Sequence, residues 1–150
     1  MTASAAPIRR TDWSRIAAVA LALVGLADSA YLAYVKLTNQ LASCSNLGDC
    51  ETVNSSRFSE IGGVPIALLG AAGYLLILGA VAADQPGGRW AEAGRYAFFG
   101  LTLVGTLYSL YLTYLEVFVL RAVCPFCVAS AVIMIMLFVL SILRLQAPGD

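Results

Sequence analysis

The chain has no histidine, a single lysine (Lys36) and only 12% charged residues, its nine basic side chains matched by nine acidic ones. A soluble domain carries roughly twice that charged fraction. With no basic excess to meet a phosphate backbone, no nucleic-acid partner is expected. With no histidine, haem loses its usual ligand. The glycines in "IGGVP" and "LLGAAGY" lack the G-x-G-x-x-G spacing, and no strand precedes them, so neither a flavin nor a nicotinamide fingerprint is present. What is plentiful is apolar surface: 60% of 150 residues are hydrophobic and the mean hydropathy is +0.82. The length allows one domain, 1–150, and the composition places that domain in a membrane.

A helix needs about 20 mainly apolar residues to cross the hydrocarbon core. Four stretches qualify, 16–35, 64–83, 96–115 and 125–143, and Asp28 is the only charge in any of them. The first is too long for a signal-peptide core and no small-x-small cleavage site follows it, so it reads as a retained span. Basic residues near the span ends set the orientation. Arg9, Arg10, Arg15, Arg89, Arg95 and Arg144 fall on one side, against Lys36, Arg57 and Arg121 on the other. Both termini are thereby expected in the cytoplasm of an inner (plasma) membrane protein. Segments 37–63 and 116–124 face outward.

All four cysteines then lie on the outer, oxidising side. Cys44 and Cys50 sit in the long loop "LASCSNLGDCETVNSSRFSEIGGVP", and Cys124 and Cys127 stand at the outer end of the fourth helix. Three uses compete. A four-cysteine zinc site wants ligands about two to four residues apart on a folded knuckle. Five residues separate the first pair here and a membrane helix follows the second, so no metal is expected. Two structural disulfides would suit an exported loop. A C-x-x-C bridge on a helix is a tight ring, however, and strained bridges tend to be reactive. The third use is a redox relay. Cys124 falls at an N-cap, Pro125 suits the first helical position and Cys127 enters the first turn. Free amides and the positive end of the helix dipole would stabilise a thiolate there. A loop pair that meets a soluble partner and a helix pair at the membrane boundary need a lipid-soluble electron acceptor, and quinone is the candidate.

The order Cys-x5-Cys in the first outer loop, then "TVNSSRFSEIGGVPIALLGAAGY", then C-x-x-C opening the last helix resembles the vitamin K epoxide reductase family in its bacterial branch. The resemblance runs over about residues 14–145. It implies an all-α, four-helix membrane bundle around a quinone, ubiquinone or menaquinone, with the loop folded over the outer mouth as a short horizontal helix. By the same resemblance Cys44 is the outer shuttle thiol and exchanges with a thioredoxin-like (DsbA-like) protein. Cys50 attacks Cys124, and Cys127 is released beside the quinone ring. Ser56 matches the family's loop serine and is expected to order the loop. Where the animal enzymes hold a naphthoquinone with an asparagine and a tyrosine, this chain has apolar residues, near Ile66 and at Ala131. Quinone reduction is therefore favoured over epoxide reduction. Because the chain stops at Asp150, just past the fourth helix, the thioredoxin-like partner is expected to be a separate protein and the enzyme a monomer.

Other polar and aromatic residues carry less. Asp28 is a functional candidate because a charge inside a span is costly. Glu116 and Arg121 read as caps of the short outer connection. Tyr31, Tyr34, Tyr108, Tyr111 and Tyr114 gather toward the outer ends of the first and third spans, as an aromatic belt does without any ligand. Among them Tyr111 is taken as a quinone-facing residue. The rival to the enzyme is a non-enzymatic multi-pass membrane protein with two structural disulfides.

Overall fold

The computed structural model describes residues 10–40, 44 and 48–146. Arg9, part of the basic set that orients the chain, lies outside them, as do the loop residues 41–43 and 45–47. Four long helices dominate: α1 (Arg10–Leu37), α3 (Ile66–Ala83), α4 (Ala91–Tyr114) and α5 (Pro125–Gln146). Between α1 and α3 lie the short helix α2 (Cys50–Ser55), a 3-10 turn (Arg57–Ser59) and a two-stranded hairpin, β1 (Glu60–Ile61) with β2 (Val64–Pro65). All four long helices are long and apolar enough to cross a membrane. The expected four-helix architecture with a short helix in the loop is what the chain forms.

Each boundary has a local cause. Pro125 opens α5, where a missing N–H costs nothing, and the Cys124 carbonyl accepts from Val128 N at 3.1 Å to start the helix. Asp49 caps α2, its carboxylate accepting from Thr52 N at 3.1 Å and from the Thr52 hydroxyl at 2.7 Å. Those two bonds hold the Asp49 carboxyl below its ordinary pKa. The hairpin turns through Gly62 and Gly63, both at positive φ, which only glycine adopts without strain. The third span differs from its expected end. Past Tyr114 it continues as a π-helical segment, Leu115–Leu120, and stops at Arg121 in the left-handed conformation, whose N–H bonds back to Glu116 O. The outer connection expected over 116–124 therefore shrinks to 121–124.

The long helices form a closed ring in which α1 packs on α3 and α5, and α4 packs on the same two. Along α1 the core is built from small residues, Ala18 and Ala22, which admit Tyr74, Ile77, Phe98 and Leu137. Bulky residues such as Leu75, Leu76, Val104, Leu107 and Val139 face outward. In water that much exposed apolar surface would aggregate, whereas in lipid it is solvated. Polar bonds between helices take over where hydrophobic driving force is absent: Thr102 Oγ1 donates to Ser141 Oγ at 3.1 Å and Thr106 Oγ1 to Met134 O at 3.3 Å.

At the end away from the cysteines, Asp84 and Arg144 are buried together. Arg144 Nε and Nη2 both reach Asp84 Oδ2 at 2.7 Å, Arg95 Nη2 lies 3.5 Å from Oδ1, and Arg144 Nη1 donates to Ser14 Oγ at 3.0 Å. This network ties the ends of all four long helices. Asp84→Asn removes the charge that compensates Arg144, and breaking such a pair costs about 3 kcal/mol or more. Thermal unfolding of the detergent-solubilised variant is expected to show a lowered midpoint with the cysteine chemistry intact below it.

Candidate active site

At the other end the sulfurs converge. Cys44 and Cys50 form a disulfide, with Cα atoms 6.1 Å apart, while Cys124 and Cys127 are free thiols. Cys124 Sγ lies 3.3 Å from Cys50 Sγ, although 74 residues separate them in the chain. Val53 and Phe126 pack around this group, making a second small core distinct from that of the bundle. The sulfurs of Cys44, Cys50 and Cys124 lie within 4.8 Å of one another. A disulfide with a third sulfur this close is the arrangement that thiol–disulfide exchange requires.

Three sets of contacts hold the loop there. Asp49 N donates to Val123 O at 3.1 Å, joining the segment before α2 to the segment before α5. Gly48 lies so close to Val123 O and Pro125 that a Cβ would strike both. Farther along, Lys36 at the end of α1 donates to Asn54 O at 2.6 Å and Ser59 Oγ at 2.9 Å, and pairs with Glu60 at 3.2 Å. The lone lysine of the chain thus clasps the loop. Ser56 caps α2, its hydroxyl donating to Val53 O at 2.8 Å, while its carbonyl accepts from the Ser59 hydroxyl at 2.7 Å.

Beneath the loop a cavity of about 500 Å³ opens between the helices, lined by Cys124 and Cys127. Its walls are mostly apolar, with Leu32, Ile77, Leu101 and Met134 among them. Volume and lining suit the head group of a lipid-soluble quinone, since ligand sites of about 300–1,000 Å³ with few polar groups are the rule. A polar patch lies on the wall: Tyr74 and Ser130 share a hydroxyl hydrogen bond of 2.8 Å, and Asp28 and Ser29 lie on the facing helix. Asp28 Oδ2 is buried and has no hydrogen-bond partner among the described residues.

The residues named from the sequence divide. Ser56 and Ile66 line the cavity with the two helix cysteines. Ala131 is buried within α5, one turn past Cys127, and is not among the lining residues. Tyr111 is 53% exposed and stands outside, whereas Tyr108 lines the wall. Three residues turn a helix by about 300°, which carries Tyr111 off the face that Tyr108 occupies. Glu116 was expected to cap the outer connection. It is instead 3% exposed, accepts from Cys124 N at 3.2 Å and lines the cavity together with Cys127. It is the one acidic residue between Glu92 and Asp150, a signal that was readable in the sequence.

The Cys124 thiol ionises below its ordinary range. The main cause is a hydrogen bond from the Cys127 thiol, helped by the backbone N–H groups of Cys127 and Phe126 and opposed by burial. A thiolate beside a disulfide sulfur is the reactive arrangement for exchange.

Fold and site together set four helices able to cross a membrane beneath a disulfide with a third sulfur 3.3 Å away. The sequence profile of the vitamin K epoxide reductase family matches residues 16–142, and the chain belongs to that family. It is 32% identical over 121 residues to a protein of Arabidopsis thaliana named thiol-disulfide oxidoreductase LTO1, an alignment covering 77% of this chain and 32% of that relative. The chain therefore spans about a third of the length of this relative.

Two outcomes follow from this geometry. Gly48→Ala is expected to push the loop off Val123 and slow exchange between Cys50 and Cys124 without unfolding the bundle. Acid-quenched disulfide mapping measures it. In a background with Cys44 and Cys50 replaced by serine, Cys124 is expected to alkylate at pH values below the ordinary thiol range. Adding Cys127→Ala removes the main hydrogen bond to the thiolate, and the alkylation profile should move to higher pH.

Proposed function

We propose that this chain is a membrane thiol:quinone oxidoreductase. It reoxidises a thioredoxin-like (DsbA-like) protein on the extracytoplasmic side and passes the electrons to ubiquinone or menaquinone, sustaining disulfide formation. The observation that carries the reading is one line of contacts. It runs from the Cys44–Cys50 disulfide, across 3.3 Å to Cys124, to Cys127 on the wall of the 500 Å³ apolar cavity.

The relay balances as follows. The two thiols of the reduced partner open Cys44–Cys50 through a mixed disulfide on Cys44, and the partner leaves oxidised. The Cys50 thiolate attacks Cys124 of a closed Cys124–Cys127 bond, forming Cys50–Cys124 and expelling the Cys127 thiolate. Attack of Cys44 on Cys50 then closes the outer pair and leaves the inner pair reduced. An outer disulfide with an inner dithiol is the bonding pattern of this structure. The inner dithiol closes again by giving two electrons and two protons to the quinone bound in the cavity, which departs as quinol. The apolar character of Ile66 on the cavity wall favours this acceptor over an epoxide. Two structural disulfides leave unexplained why Cys50 stands within exchange distance of a free, acidified thiol.

Single cysteine variants separate the enzyme from its rival. Cys127→Ala is expected to abolish quinone reduction with every reductant, followed by quinone absorbance. Cys44→Ala should be inactive with a thioredoxin-like protein but retain partial activity with dithiothreitol, which reaches the inner pair without a protein intermediary. A wild type that reduces no quinone under anaerobic conditions would sink the reading.

A further inference from the structure

We propose that Glu116 is the group that gives and takes the proton of Cys127 each time the inner disulfide opens or closes. The π-helical segment sets Glu116 against the C-x-x-C turn. Its backbone carbonyl is capped by the N–H groups of Arg121 and Ala122, the latter at 3.1 Å, so the residue is fixed at both ends. Its carboxyl accepts from the backbone N–H of Cys124, and the residue lines the same cavity as Cys127. Accepting one N–H would need only an amide or a hydroxyl, and burying a carboxylate for that purpose is wasteful. Among the described residues no lysine or arginine forms an ion pair with it. Its neighbours are the reacting groups themselves: Cys124 and Cys127, with Cys50 of α2 beyond. Asp28, Tyr74 and Tyr108 share the cavity from α1, α3 and α4.

The inference rests on the order of the proposed relay but involves no quinone. When Cys50 attacks Cys124, the Cys124–Cys127 bond breaks, Cys50–Cys124 forms, and the Cys127 sulfur leaves with the bonding pair. The Glu116 carboxyl group protonates it. In the reverse step the Glu116 carboxylate removes the Cys127 proton, Cys127 attacks Cys124, and Cys50 leaves as thiolate. No net oxidation occurs, and one proton moves between a carboxyl and a thiol. A group that serves both directions speeds forward and reverse rates equally.

The test uses full-length Cys44→Ser protein prepared with Cys124–Cys127 closed and Cys50 a free thiol. After a jump from acid to neutral pH it relaxes toward a mixture containing Cys50–Cys124, read by acid quench and peptide mass mapping. Glu116→Gln keeps an acceptor for the Cys124 N–H and removes the exchangeable proton. Relaxation is expected to slow by about a hundredfold, the usual scale of general acid–base catalysis. Glu116→Asp should recover part of that rate. A role confined to charge predicts the opposite sign, because removing a negative charge beside Cys127 makes its sulfur a better leaving group, and a role confined to structure predicts no slowing of the parent in heavy water. Relaxation of Glu116→Gln at the parent rate or faster therefore overturns the assignment. If Glu116→Gln fails to fold, the parent in heavy water decides: slower relaxation supports the proton transfer and an unchanged rate refutes it. A parent that never forms Cys50–Cys124 refutes the relay order and this inference with it. Failure of the wild type to reduce quinone bears on the proposed function alone.

Discussion

The contact on which the rest depends is the 3.3 Å approach of Cys50 to Cys124. Sulfur exchange requires such proximity, yet the two residues belong to separate pieces of chain, a polar loop and a membrane helix. The loop has little apolar surface with which to dock itself. It is held by backbone and charge instead, through Asp49 N to Val123 O beside Cys50 and through Lys36 at the far end. Both anchors act on the segment that carries Cys50. They hold Cys50 in place against Cys124, which is what exchange between the two asks of the loop.

The bundle serves this contact by being unequal along its length. Near the chain termini the helices are locked by the buried Asp84–Arg144 pair and packed around Phe98 and Leu137. Toward the cysteines the packing opens, because Gly70, Gly73, Gly100 and Gly105 line the cavity and contribute no side-chain volume. A ring of four helices with a filled lower half and a hollow upper half is a vessel closed at one end. The loop and its small hairpin lie over the hollow end, with Val53, Ser56 and Phe58 on the cavity wall. Cover there buries Cys124, and hydrogen bonds made to a buried group are stronger than those made in water.

Much of this was legible from the residues. The four apolar runs were enough to place the helices, because hydrocarbon thickness imposes a simple length, whereas the meeting of Cys50 with Cys124 was implied only by the family resemblance. Details that depend on rotation about a helix axis were not legible. Tyr108 and Tyr111 look equivalent in a belt of aromatics, and only the helix phase separates the cavity face from the lipid face. Ala131 follows Cys127 by one turn yet is covered by neighbours. The π-helical segment is not legible, because Glu116 at its head makes 116–120 read as the start of the outer connection rather than as more helix. Its consequence, the inward turn of Glu116, was foreshadowed only by an acid standing alone in a long apolar stretch.

The missing histidine returns here with a different meaning. Moving two electrons from thiols to a quinone also moves two protons, and histidine is the side chain whose ordinary pKa best suits that task. A chain without one must pass protons through carboxyls, phenols and thiols. The groups that meet around the cavity are of those kinds: Glu116 beside Cys127, the Tyr74–Ser130 pair one turn deeper, and Asp28 with a buried oxygen that no described residue satisfies. Isolated acids inside a span are expensive, and two of them open on the same 500 Å³ space. Their cost is easier to understand as provision for protons than as structure, since neither makes an ion pair among the described residues.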